Sequence, residues 1–395
     1  MESKVKAAWP AISSELRPWD RDANSIASRR QALKHRGPYK AAVVPEIATQ
    51  QLNLSASNLA VADEAASEIS RFDSELGQMI APFASILLRS EAASSSQIEN
   101  LTSSPAAIVR AELGLKDSAN SALIVSNQNA MRAAVSASST LSSKTILKMH
   151  RVLLEASDPS NAGKFRTEPV WVGGTPFGPH GADYVGPDSS LVPELISDLV
   201  KFCNRVDLPA LVQIAIAHAQ FETIHPFTDG NGRTGRALVQ VLLHRLGLTK
   251  SVMVPVSAGL LRSTKKYFDA LTAYRTGDPL PIIQVFAEGS LFAVQNGRKL
   301  ASELQAVRAN WDSLLSARTN SGARKLIDQL LAQPLITRSR AIEVLGLSAA
   351  NAQLAIDKLV DAGILVQSSS GRRNRVWQAP DVLSALDAFA SRTKR

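Results

Sequence analysis

The chain has 395 residues, enough for two or three domains and a sizeable core, and it is 45% hydrophobic but only 5% aromatic. Its single cysteine, Cys203, excludes an intramolecular disulfide and suits a reducing compartment, where a small buried apolar role is expected of it. No apolar run reaches transmembrane length and the N-terminus lacks a signal-peptide core, so a soluble, cytoplasmic protein without a membrane partner is expected; the net charge of +9 suits nucleic acid, acidic partners or a solvated basic surface.

Residues 1 to about 55 are polar, basic and weakly periodic, with Pro38 and Pro45 opposing long helices, and read as an extended arm packed on the body. A helical pattern follows from residue 60 to about 88, with Ile69, Phe72, Leu76, Ile80, Phe83 and Leu87 at three- and four-residue steps. The Ser-rich stretch 90–100 (SEAASSSQIEN) reads as a loop or a weak helix; on a helix, Ser95 and Glu99 would share one side. Residues 105–160 read as helices, including 143–154, whose His150 is taken as structural. Short β-favouring runs around Val170-Trp171-Val172 and Tyr184-Val185, separated by Gly and Pro, predict a hairpin, with His180 a bystander in its loop. Residues 188–205 form an amphipathic helix.

The most informative stretch is His225-Pro226-Phe227-Thr228-Asp229-Gly230-Asn231-Gly232-Arg233-Thr234-Gly235-Arg236. It joins two runs so apolar that both must be buried, 211–224 (LVQIAIAHAQFETI) and 237–246 (ALVQVLLHRL). Gly230 and Gly232 flank Asn231, so the backbone can turn tightly and present bare N–H groups to an oxyanion. A helix beginning at about Gly232 would add its N-terminal N–H groups and macrodipole, which favour a phosphate. Arg233 and Arg236, three apart, share one face of the first turn and could clamp phosphate oxygens. Asp229 suits a Mg²⁺ that completes its shell with phosphate and water, and His225 is the group able to accept a proton near neutrality.

Downstream, residues 263–274 read as a helix and 286–315 as a long one. From about residue 322 three short helices precede a hairpin tipped by Arg372, Arg373 and Arg375, an order that resembles a winged helix. Residues 321–395 hold eleven Lys and Arg against six Asp and Glu, and such a module binds either DNA or protein.

The His225–Arg236 stretch fills every fixed position of HPFx[D/E]GNGRxxR and so resembles the signature of the Fic (Fido) proteins. The resemblance implies an all-α Fic core with a small β-hairpin flap, plus the C-terminal winged-helix domain. The implied boundaries are 1–135 for the arm and first helices, 136–315 for the core and 316–395 for the last domain. It implies transfer of AMP from ATP to a Ser, Thr or Tyr hydroxyl of a target protein aligned along the flap, about 170–186. His225 would be the base and Asp229 the Mg²⁺ ligand. Gly230, Asn231 and Gly232 would cradle the α-phosphate, Arg233 and Arg236 would hold the β- and γ-phosphates, and Tyr267 would wall the adenine pocket. Ser95, Glu99 and Asn100 are similar to the family's inhibitory motif [S/T]xxxE[G/N], which implies a segment, 90–101, whose Glu99 pairs with Arg236. The alternatives are transfer of another phosphate-containing group, removal of AMP, or a DNA-binding regulator whose Fic core only senses nucleotide. A homo-oligomer stays open.

Overall fold

Helix boundaries follow local chemistry in this computed structural model, which describes residues 9–19, 34–79, 83–115, 117–136, 141–315, 321–368 and 375–393. Side-chain oxygens of Ser104, Ser142, Ser263, Ser321, Thr337 and Ser348 each accept a backbone N–H three residues on, opening the helices Pro105–Glu112, Ser143–Leu154, Thr264–Arg275, Gly322–Ala332, Arg338–Leu345 and Ala349–Asp361. Each cap stabilises its helix by about 1 kcal/mol.

The chain divides into two compact units that interleave in sequence. The first comprises Met1–Ala66, Asn129–Leu248 and Ser263–Glu288; the second comprises Ser67–Gln128, Thr249–Arg262 and Gly289–Arg395.

In the first unit, helix Ala210–Ile224 is the axis, with every residue from Leu211 to Ile224 buried. Helices Val192–Cys203, Asn231–Arg245 and Thr264–Arg275 pack around it. So uniformly apolar a sequence can only be accommodated in this enclosed position. Cys203 is buried and its thiol is pushed up to about 12, the behaviour of a core residue. Asp198, also buried, accepts N–H groups from Ile47 at 2.6 Å and Ala48 at 3.2 Å, pinning the N-terminal segment. That segment is more ordered than an extended arm: Ser13–Arg17 pairs antiparallel with Tyr39–Val43, and each strand supplies the ladder partners the other lacks. A second antiparallel pair, Trp171–Val172 with Tyr184–Val185, forms the expected hairpin.

In the second unit, helices Phe83–Ile98, Pro105–Glu112 and Val256–Leu261 precede the C-terminal elements. Buried Glu91 accepts both the backbone N–H of Ser257 at 2.9 Å and its hydroxyl at 2.7 Å. Arg89 pairs with Glu112 at 2.7 Å and donates to the carbonyl of Ala332 at 3.1 Å. The C-terminal strands Leu335–Thr337, Val376–Gln378 and Val366–Gln367 make an antiparallel sheet in that spatial order. Val109, Leu335, Val376 and Leu383 share one apolar cluster.

Three boundaries differ from the sequence reading. The pattern over 60–88 is two helices, Ala56–Gly77 and Phe83–Ile98, and Ile80 lies outside the described residues. The long helix runs Leu280–Leu314, starting six residues early because Pro281 is tolerated in a first turn and Asp278 accepts the N–H of Leu280 at 3.0 Å. The helix expected at 188–205 is a short 3-10 turn, Ser189–Leu191, followed by Val192–Cys203. Arg372 and Arg373 lie outside the described residues. Among the described residues, no helix is long and apolar enough to cross a membrane.

Candidate functional site

The central helix ends at His225, whose backbone is left-handed (φ 50°) and whose N–H still donates to Phe221 O at 2.9 Å. The last carbonyls of such a helix have no partner within it. Here each one is met. Glu222 O accepts from Arg275 Nη2 at 3.3 Å, Thr223 O accepts the Tyr184 hydroxyl, and Ile224 O and His225 O accept from Arg166 at 3.4 and 2.8 Å. Pro226 O accepts the backbone N–H of Arg166 at 3.0 Å. The guanidiniums of Arg166 and Arg275 also place positive charge where the helix dipole is negative.

The His225 ring follows from this end structure. Its Nδ1 lies 3.3 Å from Glu222 O. A carbonyl can only accept, so Nδ1 carries the hydrogen and Nε2 keeps its lone pair. Burial pushes His225 down to about 4; the Glu222 carbonyl opposes this, Arg275 and Arg166 reinforce it, and Asp229 opposes it. The imidazole is therefore neutral at physiological pH, with its side chain 19% exposed.

After Pro226 and the fully buried Phe227, the chain turns under the control of Asn231. Its Oδ1 accepts the N–H of Phe227 at 2.9 Å and its Nδ2 donates to Phe227 O at 2.8 Å. The carboxamide thus does for the loop what a second strand would do. Gly230 sits at φ 73°, and a Cβ there would come within 3.0 Å of Leu153. Both facts require glycine. Helix Asn231–Arg245 starts immediately afterwards, one residue before the expected start, and its first turn carries Gly232, Arg233 and Arg236. Arg233 and Arg236 are buried, and Arg233 Nη2 lies 3.3 Å from Asp229 Oδ2. Two buried guanidiniums at the positive end of a helix oppose its dipole, an arrangement that suits an anion.

The Asp229 side chain is 66% exposed. Among the described residues, no three His, Cys, Asp or Glu side chains converge on a metal position. A lone exposed carboxylate beside an anion-favouring turn fits a Mg²⁺ whose remaining ligands are phosphate and water.

His150, Arg166 and Gly235 also build the site, though sequence reasoning gave none of them a role in it. The ring of His150 stacks on Phe227 at 3.6 Å; its Nδ1 accepts the N–H of Gly163, so Nε2 donates to Asp229 O at 3.0 Å. A Cβ on Gly235 would lie 2.6 Å from Glu222 Oε1, so this glycine sets the close approach of the two helices. His150 and Gly235 could have been suspected from their places in or beside apolar helices; Arg166 had no local signal.

Tyr267, expected to wall an adenine pocket, is 1% exposed, and its hydroxyl lies 2.7 Å from His218 Nε2.

Ser95, Glu99 and Asn100 belong to the second unit. Ser95 is buried in helix Phe83–Ile98, while Glu99 lies in the turn that ends it. Asn100 is left-handed (φ 63°), its N–H donates to Gln97 O at 2.9 Å, and the N–H of Leu101 donates to Ser96 O at 3.1 Å. This is a Schellman stop, in which asparagine stands in for glycine. It gives a physical reason for Gly or Asn immediately after the glutamate.

Residues 140–243 match the Fic/DOC family. The chain is 33% identical over 184 residues to the protein adenylyltransferase fic-1 of Caenorhabditis elegans, covering 46% of this chain and 31% of that one. It is 34% identical over 146 residues to the protein adenylyltransferase Fic of Drosophila willistoni, covering 37% and 27%. The chain thus spans about a third of the length of these curated relatives. A crystal structure of a Fic family protein from Desulfovibrio desulfuricans shares the fold, with a TM-score of 0.55 at 18% identity over 83% of this chain and 97% of that one.

Proposed function

We propose that the chain, whose residues 140–243 match the Fic/DOC family, is a protein adenylyltransferase. The observation that carries the reading is a neutral His225 with Nδ1–H turned to Glu222 O, which leaves Nε2 to accept a proton beside an anion-favouring helix start. Nε2 takes the proton of a target Ser, Thr or Tyr hydroxyl, and that oxygen bonds to the α-phosphorus of ATP. The bond from α-phosphorus to the α,β-bridging oxygen breaks, and pyrophosphate leaves with the electron pair. The amides at Gly230, Asn231 and Gly232 face the α-phosphate region, and Arg233 and Arg236 hold the β- and γ-phosphates. Mg²⁺ on Asp229 neutralises phosphate charge when bound. The flap, about 170–186, aligns the target segment by strand addition.

Glu99 restrains the reaction by pairing with Arg236, with Ser95 and Asn100 fixing the helix end that carries it. The C-terminal order of helix, strand, two helices and two strands supports a winged helix. The outward residues of its third helix include Asn351, Leu354, Asp357, Lys358 and Asp361, one cation against two carboxylates, which favours a protein partner over a DNA duplex. A cytoplasmic location suits the lone buried thiol.

The test is incubation of the whole chain with α-labelled or γ-labelled ATP and Mg²⁺. Glu99→Gly should incorporate only the α-label, well above the parent, and adding His225→Ala should abolish incorporation while nucleotide binding persists. Incorporation of γ-label, or none by any variant, would overturn the reading.

A further inference from the structure

We propose that Arg166 is a positioning residue that ties both ends of the flap to the main chain of His225, so that flap and base are held as one piece. This rests on the reading of His225 as the base. Arg166 is 3% exposed, and its guanidinium donates to backbone carbonyls. Nε donates to His225 O at 2.8 Å; Nη1 donates to Glu168 O at 3.0 Å; Nη2 donates to Pro187 O at 2.7 Å. Glu168 and Pro187 stand immediately before and after the flap. The ladder inside the flap is short, with Asp183 N–H donating to Val172 O at 2.9 Å and Gly186 N–H to Val170 O at 3.0 Å, so its base is set by what holds residues 168 and 187.

A plain helix cap would need only the carbonyls of Ile224 and His225. Reaching Glu168 O and Pro187 O as well uses the whole planar fork, which a single ammonium cannot span. Burial against neutral carbonyls also pulls the guanidinium down to about 10, the mark of a cation held where a smaller group would be cheaper. A peptide strand that pairs with the flap would therefore meet a base already fixed in register with it.

The charged groups acting on the His225 ring are Arg166 and Arg275, which disfavour the imidazolium, and Asp229, which favours it; the Glu222 carboxylate lies 4.0 Å from Nδ1. The experiment separates charge from geometry with Arg166→Lys in the full chain carrying Glu99→Gly. Lysine keeps the charge and loses the fork. The expected result is transfer reduced roughly tenfold to hundredfold with ATP affinity unchanged. Amide hydrogen exchange should become faster in residues 168–187 and 224–227 alone, and the His225 titration by NMR should remain low. Parental transfer and parental exchange in the folded variant would overturn the proposal, as would faster exchange spread evenly over the unit, which a merely structural role predicts. If the Glu99→Gly parent transfers nothing, the adenylyltransferase reading fails by itself and the exchange pattern still decides this one. If Arg166→Lys does not fold, the unsubstituted chain decides: an Arg166 Nε–H exchanging as slowly as neighbouring helix amides supports the tether, and rapid exchange overturns it.

Discussion

Asn231 carries more structural weight than its place in a phosphate-binding motif suggests. Both halves of its carboxamide are committed to Phe227, so Asn231→Ala leaves a buried N–H and a buried carbonyl without partners. That change should cost about 2–4 kcal/mol, read as a lower urea midpoint with an unchanged slope. A loss below about 1 kcal/mol would mean that water or a shifted loop replaces both bonds. His218 in the central helix and His225 at its end make a second prediction. Burial depresses His218 to about 3 and His225 to about 4, against an ordinary value of 6.5. Below about 6.5 the unfolded chain binds protons that the folded chain refuses, so stability is unaffected above that pH and falls between about 6.5 and 4. Each histidine contributes a slope of at most about 1.4 kcal/mol per pH unit. Denaturation at pH 7 and pH 5 checks this, and His218→Gln should flatten the difference. The residue scale also shows what a sequence discloses. His225, Asp229, Gly230, Asn231 and both arginines were legible because their spacing along the chain fixes their arrangement. Arg166 was not, since its acceptors are carbonyls up to 59 residues away and every residue has a carbonyl.

At the scale of elements, the end of helix Phe83–Ile98 is the informative case. Its seryl stretch reads from composition as a loop or a weak helix, yet Ser94, Ser95 and Ser96 are buried in a regular helix. Tertiary bonds override the weak propensity: Asn127 Nδ2 donates to Ala92 O at 3.1 Å and to Ser96 Oγ at 3.2 Å. The stop at Asn100 is instead local. Asn100→Gly should leave stability within about 0.5 kcal/mol, whereas Asn100→Val, which resists a left-handed backbone, should cost about 1–2 kcal/mol. If Glu99 inhibits, Asn100→Val should also raise labelling from α-labelled ATP, because the turn that carries the glutamate loosens. Equal labelling with a clear stability loss would uncouple the stop from regulation. The paired strands Ser13–Arg17 and Tyr39–Val43 were missed for a different reason: their partners are more than twenty residues apart and no tight turn announces them.

For the whole chain, the units draw on three separated segments each, so cutting the sequence at a convenient boundary does not cut the molecule at one. Ending the chain after residue 315 would remove Leu335, Val376 and Leu383 from the cluster they share with Val109. It would also remove the carbonyl that Arg89 uses at Ala332, and Arg392, which pairs with Glu303 at 2.8 Å. The truncated chain should therefore aggregate or melt well below the full chain, as sedimentation and calorimetry would report. A monomer with the parental melting temperature would show that residues 321–395 fold as an optional appendage.

The turn that Asn231 closes on Phe227 is held by two bonds of its own. A guest entering there need not organise the backbone that greets it, so most of the attraction between them remains available as affinity. The same economy makes the turn intolerant: a guest of the wrong outline meets a backbone that cannot yield without giving up two internal bonds.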